Sequence, residues 1–219
     1  RSLACCTTRP KDRPDKLHAA AMCALGNTLW LFGGQQGRKH LRTLYSLNTE
    51  VLLWRLVTPA GAAPAGREGH SLTAVDGNLA YLFGGQGKKL YNDFYLLRQN
   101  GSEWVELKPT GRVPSPRAGH SMVWDGRDRL ICFGGTTAGS TDSSLYSYSL
   151  SRSEWSTPET SGAVPSPRTH HSAVLLPSNR MLVFGGCNAQ GVFFNDAYML
   201  NLENMHWSRV QPLNTPPPP

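Results

Sequence analysis

The chain is built from short apolar runs separated by polar turns and glycines. Met122-Val123-Trp124 leads through Asp125-Gly126 into Leu130-Ile131-Cys132-Phe133 and stops at Gly134-Gly135. Runs this short, bounded by turn residues and rich in β-branched and aromatic side chains, predict strands rather than helices. Gly26-Asn27 and Asp76-Gly77 sit between paired runs and read as hairpin turns. Ala80-Tyr81-Leu82-Phe83 is apolar at consecutive positions, so both faces of this strand are expected to be buried.

The pattern repeats. Double glycines stand at Gly33-Gly34, Gly84-Gly85, Gly134-Gly135 and Gly185-Gly186, spaced 51, 50 and 51 residues apart. An apolar pair precedes each one: Leu31-Phe32, Leu82-Phe83, Cys132-Phe133 and Val183-Phe184. A tyrosine follows ten to twelve residues later (Tyr45, Tyr95, Tyr146, Tyr198), and a tryptophan nine residues after that (Trp54, Trp104, Trp155, Trp207). Four markers in register four times define a structural repeat. Each repeat predicts four strands: Ala19–Leu25, Thr28–Phe32, one through Tyr45 and one from Trp54 in the first copy, with matching segments in the others.

A period near 50 carrying a double glycine, a tyrosine and a tryptophan resembles the kelch repeat, in which each copy is one four-stranded propeller blade. The links after each tryptophan end Pro-x-x-Arg-x-x-His or Pro-Arg-x-x-His. In this they are similar to the kelch subgroup of host cell factor, Rab9 effectors and acyl-CoA-binding kelch proteins. The expected fold is an all-β, kelch-type β-propeller with four four-stranded blades present, incomplete or open. Residues 1–16 would be the end of a preceding blade and a linker. Blades one to four would be 17–58, 59–108, 109–158 and 159–210, followed by a Pro-rich tail at 211–219. A surplus strand at Arg1–Ala4, aligned with Arg55–Thr58, argues against a closed four-blade ring. Two or three further repeats are expected, chiefly upstream.

Composition narrows the function. Hydrophobic residues at 39% and charged residues at 17% suit a globular domain, and no apolar run is long enough for a transmembrane helix. Five cysteines without a Cys-x-x-Cys pair point away from zinc, towards reduced thiols and an intracellular chain, cytoplasmic or nuclear. No cofactor and no metal is expected. The net charge of +7 invites nucleic acid. The cations, however, lie in loops and at the N-terminus with no aromatic-interleaved basic helix, so a solvated surface is the simpler reading.

Two sets of residues recur at the propeller mouth. His70, His120 and His171 begin first strands; a histidine bonded to a loop once per blade is the expected role, since equivalent blade positions are too far apart to share a metal. Arg67, Arg117 and Arg168 lie three residues earlier, and counting back from Gly26-Asn27 gives Lys16 as their blade-one counterpart and Ala19 as that of the histidine. These cations tie the link to a carbonyl or carboxylate, grip an acidic peptide, or do both; the kelch resemblance implies that arginines near this point contact ligand. In an up-down blade, the loop between strands two and three leaves on the face of the inter-blade link. Arg38 and Lys39 (beside His40) and Lys88 and Lys89 would therefore share a face with Lys16 and the arginines. The matching loops 136–144 and 187–193 carry no Lys or Arg.

The function expected is a non-catalytic protein–protein interaction scaffold, presenting a basic loop face to an acidic segment of a protein partner. The alternatives are a kelch-fold enzyme, galactose-oxidase-like or specifier-like, and a nucleic-acid-binding surface. Against an enzyme, the Glu-x3-Asp-x3-His spacing of specifier proteins, the sialidase Asp-box, Gly-x-Ser-x-Gly and a phosphate loop are all absent from the sequence.

Overall fold

A computed structural model describes residues 12–98 and 101–211 of the chain. The strand expected at Arg1–Ala4 and the Pro-rich tail past Gln211 lie outside the described residues. Blade one contains β1 (Ala21–Leu25), β2 (Thr28–Phe32), β5 (Leu44–Asn48) and β6 (Leu53–Val57), with a small hairpin, β3 (Gln35–Gln36) and β4 (Lys39–His40), in its second loop. Blade two has β7 (Ala60–Gly61), β8 (Ser71–Val75), β9 (Leu79–Phe83), β10 (Phe94–Arg98) and β11 (Glu103–Leu107). Blade three has β12 (Thr110–Gly111), β13 (Ser121–Trp124), β14 (Arg129–Phe133), β15 (Leu145–Ser149) and β16 (Glu154–Ser156). Blade four has β17 (Ser161–Gly162), β18 (Ser172–Leu176), β19 (Arg180–Phe184), β20 (Ala197–Asn201) and β21 (His206–Val210).

Each blade is an antiparallel four-stranded meander, and no helix occurs among the described residues. In blades two to four the link adds a fifth, two-residue strand parallel to the outermost one. The four sheets are arranged round an axis as blades of a β-propeller. Their innermost strands touch in series, β1 to β8, β8 to β13 and β13 to β18, with no comparable contact joining β18 to β1 among the described residues.

The core lies between blades, one apolar cluster per junction. Phe32, Trp30 and Leu44 of blade one meet Leu72, Leu97 and Trp104 of blade two. Phe83 and Phe94 meet Met122, Cys132 and Trp155, and Phe133 and Leu145 meet Met181, Leu200 and Trp207. Each repeat's tryptophan packs on the phenylalanine before the previous double glycine: Trp104 on Phe32, Trp155 on Phe83 and Trp207 on Phe133, with centroids 5.1, 5.2 and 5.1 Å apart. Burying one such ring is worth roughly 1.5–3 kcal/mol. The indole N–H groups of Trp104 and Trp155 have no hydrogen-bond acceptor among the described residues.

The double glycine follows from the same stacking. A Cβ on Gly84 would stand 2.8 Å from the Arg117 carbonyl oxygen, and one on Gly85 would stand 2.8 Å from the Glu68 carbonyl oxygen and from His70 Cβ. Both glycines have positive φ, 63° and 96°. At Gly84 the backbone of the next blade, and at Gly85 the link and first strand of the same blade, therefore dock where a side chain would have been.

Candidate functional site

Strand order puts the inter-blade links and the loops between second and third strands on one face, as the topology predicts. A Cβ on Gly66 of the link would overlap the His40 carbonyl, and one on Gly87 would overlap that of Gly66, so the loops of blades one and two lie side by side across this link.

Arg67, Arg117 and Arg168 do not reach the surface of that face; all three are 0% exposed. Arg67 donates to the Ala65 carbonyl at 3.0 Å and the Gly84 carbonyl at 2.7 Å, and grips both oxygens of Asp93 at 2.5 and 2.7 Å. Arg168 repeats this with Ser166, Gly185 and Asp196. Arg117 uses Ser115, Gly134 and, at 3.0 Å, Asp142. Burial opposes ionisation of Asp142, but bonds from the Ser144 hydroxyl and N–H and the Arg117 charge outweigh it and hold the carboxyl below its ordinary pKa. The repeat tyrosines are platforms for these cations: Tyr95, Tyr146 and Tyr198 lie 5.8, 4.7 and 5.3 Å from the guanidinium carbons. Of the two sequence readings, the arginines take the structural one.

The fourth member of this set is not Lys16. The bridges His18–Gln35, Glu68–Gln86, Ala118–Thr136 and Thr169–Cys187 are equivalent, which places Leu17 opposite Arg67 and Ala20, not Ala19, opposite His70. Blade one also has Thr43 where blade two has Asp93, by the pairing of Leu44 with Phe32 and Phe94 with Phe83. Both halves of the ion pair are missing together, as expected when either half alone would leave a buried charge or bare carbonyls.

The histidines are likewise structural. His120 Nε2 bonds the Ser71 hydroxyl at 3.0 Å and His171 Nε2 that of Ser121 at 2.9 Å. Ala21 takes the serine's place in blade one, so His70 lacks a hydroxyl there. Burial, reinforced by the neighbouring arginine, lowers His70 to about 3 and His171 to about 4, and holds His120 well below its ordinary value. All three rings are neutral near pH 7. Burial also raises Cys23 and Cys132 to about 12, so neither thiol is a nucleophile. Among the described residues no group of three His, Cys, Asp or Glu side chains is placed to hold a metal.

What remains on the face is the exposed charge. Lys16, Arg38, Lys39, Lys88 and Lys89 are exposed, as is Arg42, and no carboxylate side chain among the described residues pairs with any of them. Lys16 belongs to this group by position: Asp15 beside it accepts a bond from Gln36 at 2.8 Å, tying the segment to the blade-one loop. Glu68 sits between His18 and His40, at 3.3 and 3.4 Å, fastening the blade-two link to blade one. The equivalent loops of the other blades are polar (Thr137 to Ser140) or apolar, with Val192 and Phe193 exposed.

Sequence reasoning missed two recurring elements. One is the aspartate 25 to 28 residues after each arginine, hidden because Asp142 reaches its partner from two positions before the register of Asp93 and Asp196. The other is the link glycine at Gly61, Gly111 and Gly162, which repeats every 50 or 51 residues where a Cβ would overlap the following tryptophan's carbonyl.

Comparison with known proteins agrees with this architecture. The family model described as the KLHDC2/KLHL20/DRC7 Kelch-repeats domain matches residues 3–135 and 119–219. Acyl-CoA-binding domain-containing protein 4 of Arabidopsis thaliana is 33% identical over 224 residues, 96% of this chain and 32% of that protein. Host cell factor 2 of Homo sapiens is 32% identical over 233 residues, 95% and 22% respectively. Kelch domain-containing protein 2 of Bos taurus is 34% identical over 180 residues, 80% and 31%. The chain thus spans about a third or less of each relative.

Proposed function

Because this chain belongs to the kelch-repeat family, we propose that it is a non-catalytic scaffold for protein–protein interaction, whose basic loop face on blades one and two takes an acidic segment of a protein partner. The observation that carries the reading is the lopsided face: exposed Lys16, Arg38, Lys39, Lys88 and Lys89, without a carboxylate partner among the described residues, on two adjacent blades, against loops that carry no Lys or Arg on the other two. Unpaired cations on rigid loops attract an acidic chain over several ångströms and orient it towards one side of the axis. Arg67, Arg117 and Arg168 support the face from beneath by fixing the links and do not touch the partner.

The recurring residues at the propeller mouth are used structurally: His70, His120 and His171 are buried and neutral, Arg67, Arg117 and Arg168 are ion-paired, and the Cys23 and Cys132 thiols are protonated. That supports a binding role over a chemical one. Free Cys23, Cys132 and Cys187 fit a reducing, intracellular compartment, and no helix among the described residues is long and apolar enough to cross a membrane.

The test is binding of a fluorescent Asp/Glu-rich peptide by the wild type and by the charge-reversed K88E/K89E variant. The reversal is expected to weaken binding by about tenfold or more at low salt, with affinity falling as salt rises. Unchanged affinity would sink the proposal, and a steeper salt dependence with duplex DNA than with peptide would favour nucleic acid instead.

A further inference from the structure

The junction of blades one and two is filled unlike the junction of blades two and three. At the latter, Leu79, Leu96 and Val105 of blade two pack with Tyr81. Tyr148 of blade three, 3% exposed, closes over Tyr81 and Phe94 with centroids 6.3 and 4.8 Å away. Strand register gives the residues that stand in these places one junction earlier. Thr28 replaces Leu79, Trp30 replaces Tyr81, Ser46 replaces Leu96 and Arg55 replaces Val105. Across the junction, Leu97 of blade two replaces Tyr148. Three apolar side chains have become polar, and the covering ring has become a smaller leucine.

The space so freed is a cavity of about 600 Å³. Leu25, Trp30, Leu53 and Val57 give it an apolar wall, and Ser46 and Arg55 are polar groups set in that wall. Volume and make-up are those of a small-molecule site. The cavity opens beside the turns at Gly26-Asn27 and Gly77-Asn78, on the opposite face from the basic loops, so it is separate from the peptide face proposed above.

Its polar groups are unspent. Ser46 and Arg55 stand directly opposite each other on β5 and β6. Neither the Ser46 hydroxyl nor the Arg55 guanidinium has a hydrogen-bond or ion-pair partner among the described residues. Glu50, in the same hairpin, is held by Asn27 Nδ2 at 2.7 Å and forms no ion pair with Arg55. Polar side chains in the same places of blade three are satisfied by protein. Arg129, at the position of Thr28, donates to Asp125 and to the Leu202 carbonyl, both at 2.8 Å. The Ser156 hydroxyl, at the position of Arg55, donates to the Ser147 carbonyl at 3.3 Å.

A guanidinium matches a carboxylate by two parallel N–H bonds in one plane, and a hydroxyl beside it can donate a third. The apolar wall next to them suits a ring or short chain attached to that carboxylate. We propose that this cavity binds a small carboxylate with an apolar body, its carboxyl on Arg55 and Ser46 and its body against Trp30, Leu53 and Val57.

The test is a titration with naphthylacetate, followed by proton–nitrogen correlation NMR at the indole N–H of Trp30, which has no acceptor among the described residues and is assigned by its loss in Trp30→Phe. A saturable shift of that resonance is expected, with affinity about tenfold or more weaker in Arg55→Gln. Naphthylacetamide, the same body without the charge, is expected to bind the wild type correspondingly weakly. The double variant S46L/R55V installs the Leu96–Val105 pair of blade two and is expected to abolish the shift. Should it fail to fold, Arg55→Gln carries the test alone, because that side chain is exposed. No saturable shift at millimolar naphthylacetate, equal affinity in Arg55→Gln, or equal affinity for the acid and the amide overturns the proposal. So does a shift of other indoles that leaves Trp30 unmoved.

Discussion

The paired absence of arginine and aspartate in blade one can be transplanted. Asp93→Thr places in blade two the residue that blade one uses, and leaves Arg67 with a guanidinium that is 0% exposed and has lost contacts of 2.5 and 2.7 Å. Breaking one side of a buried pair costs about 3–5 kcal/mol. Asp93 is 25% exposed, so water reaches the pair and the lower figure applies. For a chain of this size 1 kcal/mol moves Tm by roughly 2–4 °C, so a loss of roughly 6–12 °C is expected. Arg67→Leu alone strips the Gly84 and Ala65 carbonyls of their donor, at about 1–3 kcal/mol. The double variant R67L/D93T contains no stranded charge and should be more stable than the sum of the single losses allows, by roughly 2 kcal/mol. Urea denaturation of the four proteins closes the cycle. Additivity within about 0.5 kcal/mol, or a D93T loss under about 1 kcal/mol, would refute the reasoning.

Acid should destabilise the fold through its neutral histidines. As pH falls the unfolded chain protonates its imidazoles near 6.5, while His70 and His171 stay neutral down to about 3 and 4. Stability is therefore full above about pH 6.5 and declines below it, by up to roughly 1.4 kcal/mol per pH unit for each buried ring. Denaturation midpoints that stay flat from pH 6.5 to 5 would contradict this. At the junctions, Trp155→Ala should cost about 3–5 kcal/mol because Trp155 is 1% exposed against Phe83 and Phe94. Trp54→Ala should cost distinctly less, since its side chain is only half-buried; equal losses would show that position in the series of blades does not matter.

The four sheets were legible because each marker answers a demand that one repeat cannot avoid. The first glycine of the pair admits the next blade's backbone, the phenylalanine and tryptophan fill the junction, and in blades two to four the tyrosine carries a cation. Strand starts were less legible: Ala19 and His70 were expected inside first strands that begin at Ala21 and Ser71. The blade-one register slipped by one residue for a specific reason. Its hairpin turns through Gly26-Asn27 between paired Leu25 and Thr28, whereas blade two uses Asp76 to Asn78 between Val75 and Leu79. Counting back from a shared Gly-Asn therefore chose Lys16 and Ala19 over Leu17 and Ala20. Burial of Arg67, Arg117 and Arg168 could not be read from their own neighbourhood, because it depends on aspartates a full hairpin away. The exposed cations of blades one and two were legible from loop position alone, since strand direction decides which loops share a face.

The proposed binding face on blades one and two can be located by hydrogen exchange with and without the Asp/Glu-rich peptide. Protection is expected in loops 35–42 and 86–91, with loops 136–144 and 187–193 unchanged. Protection confined to the opposite face, at Gly26-Asn27, Asp76 to Asn78 and Ser178-Asn179, or spread evenly over all four blades, would contradict it.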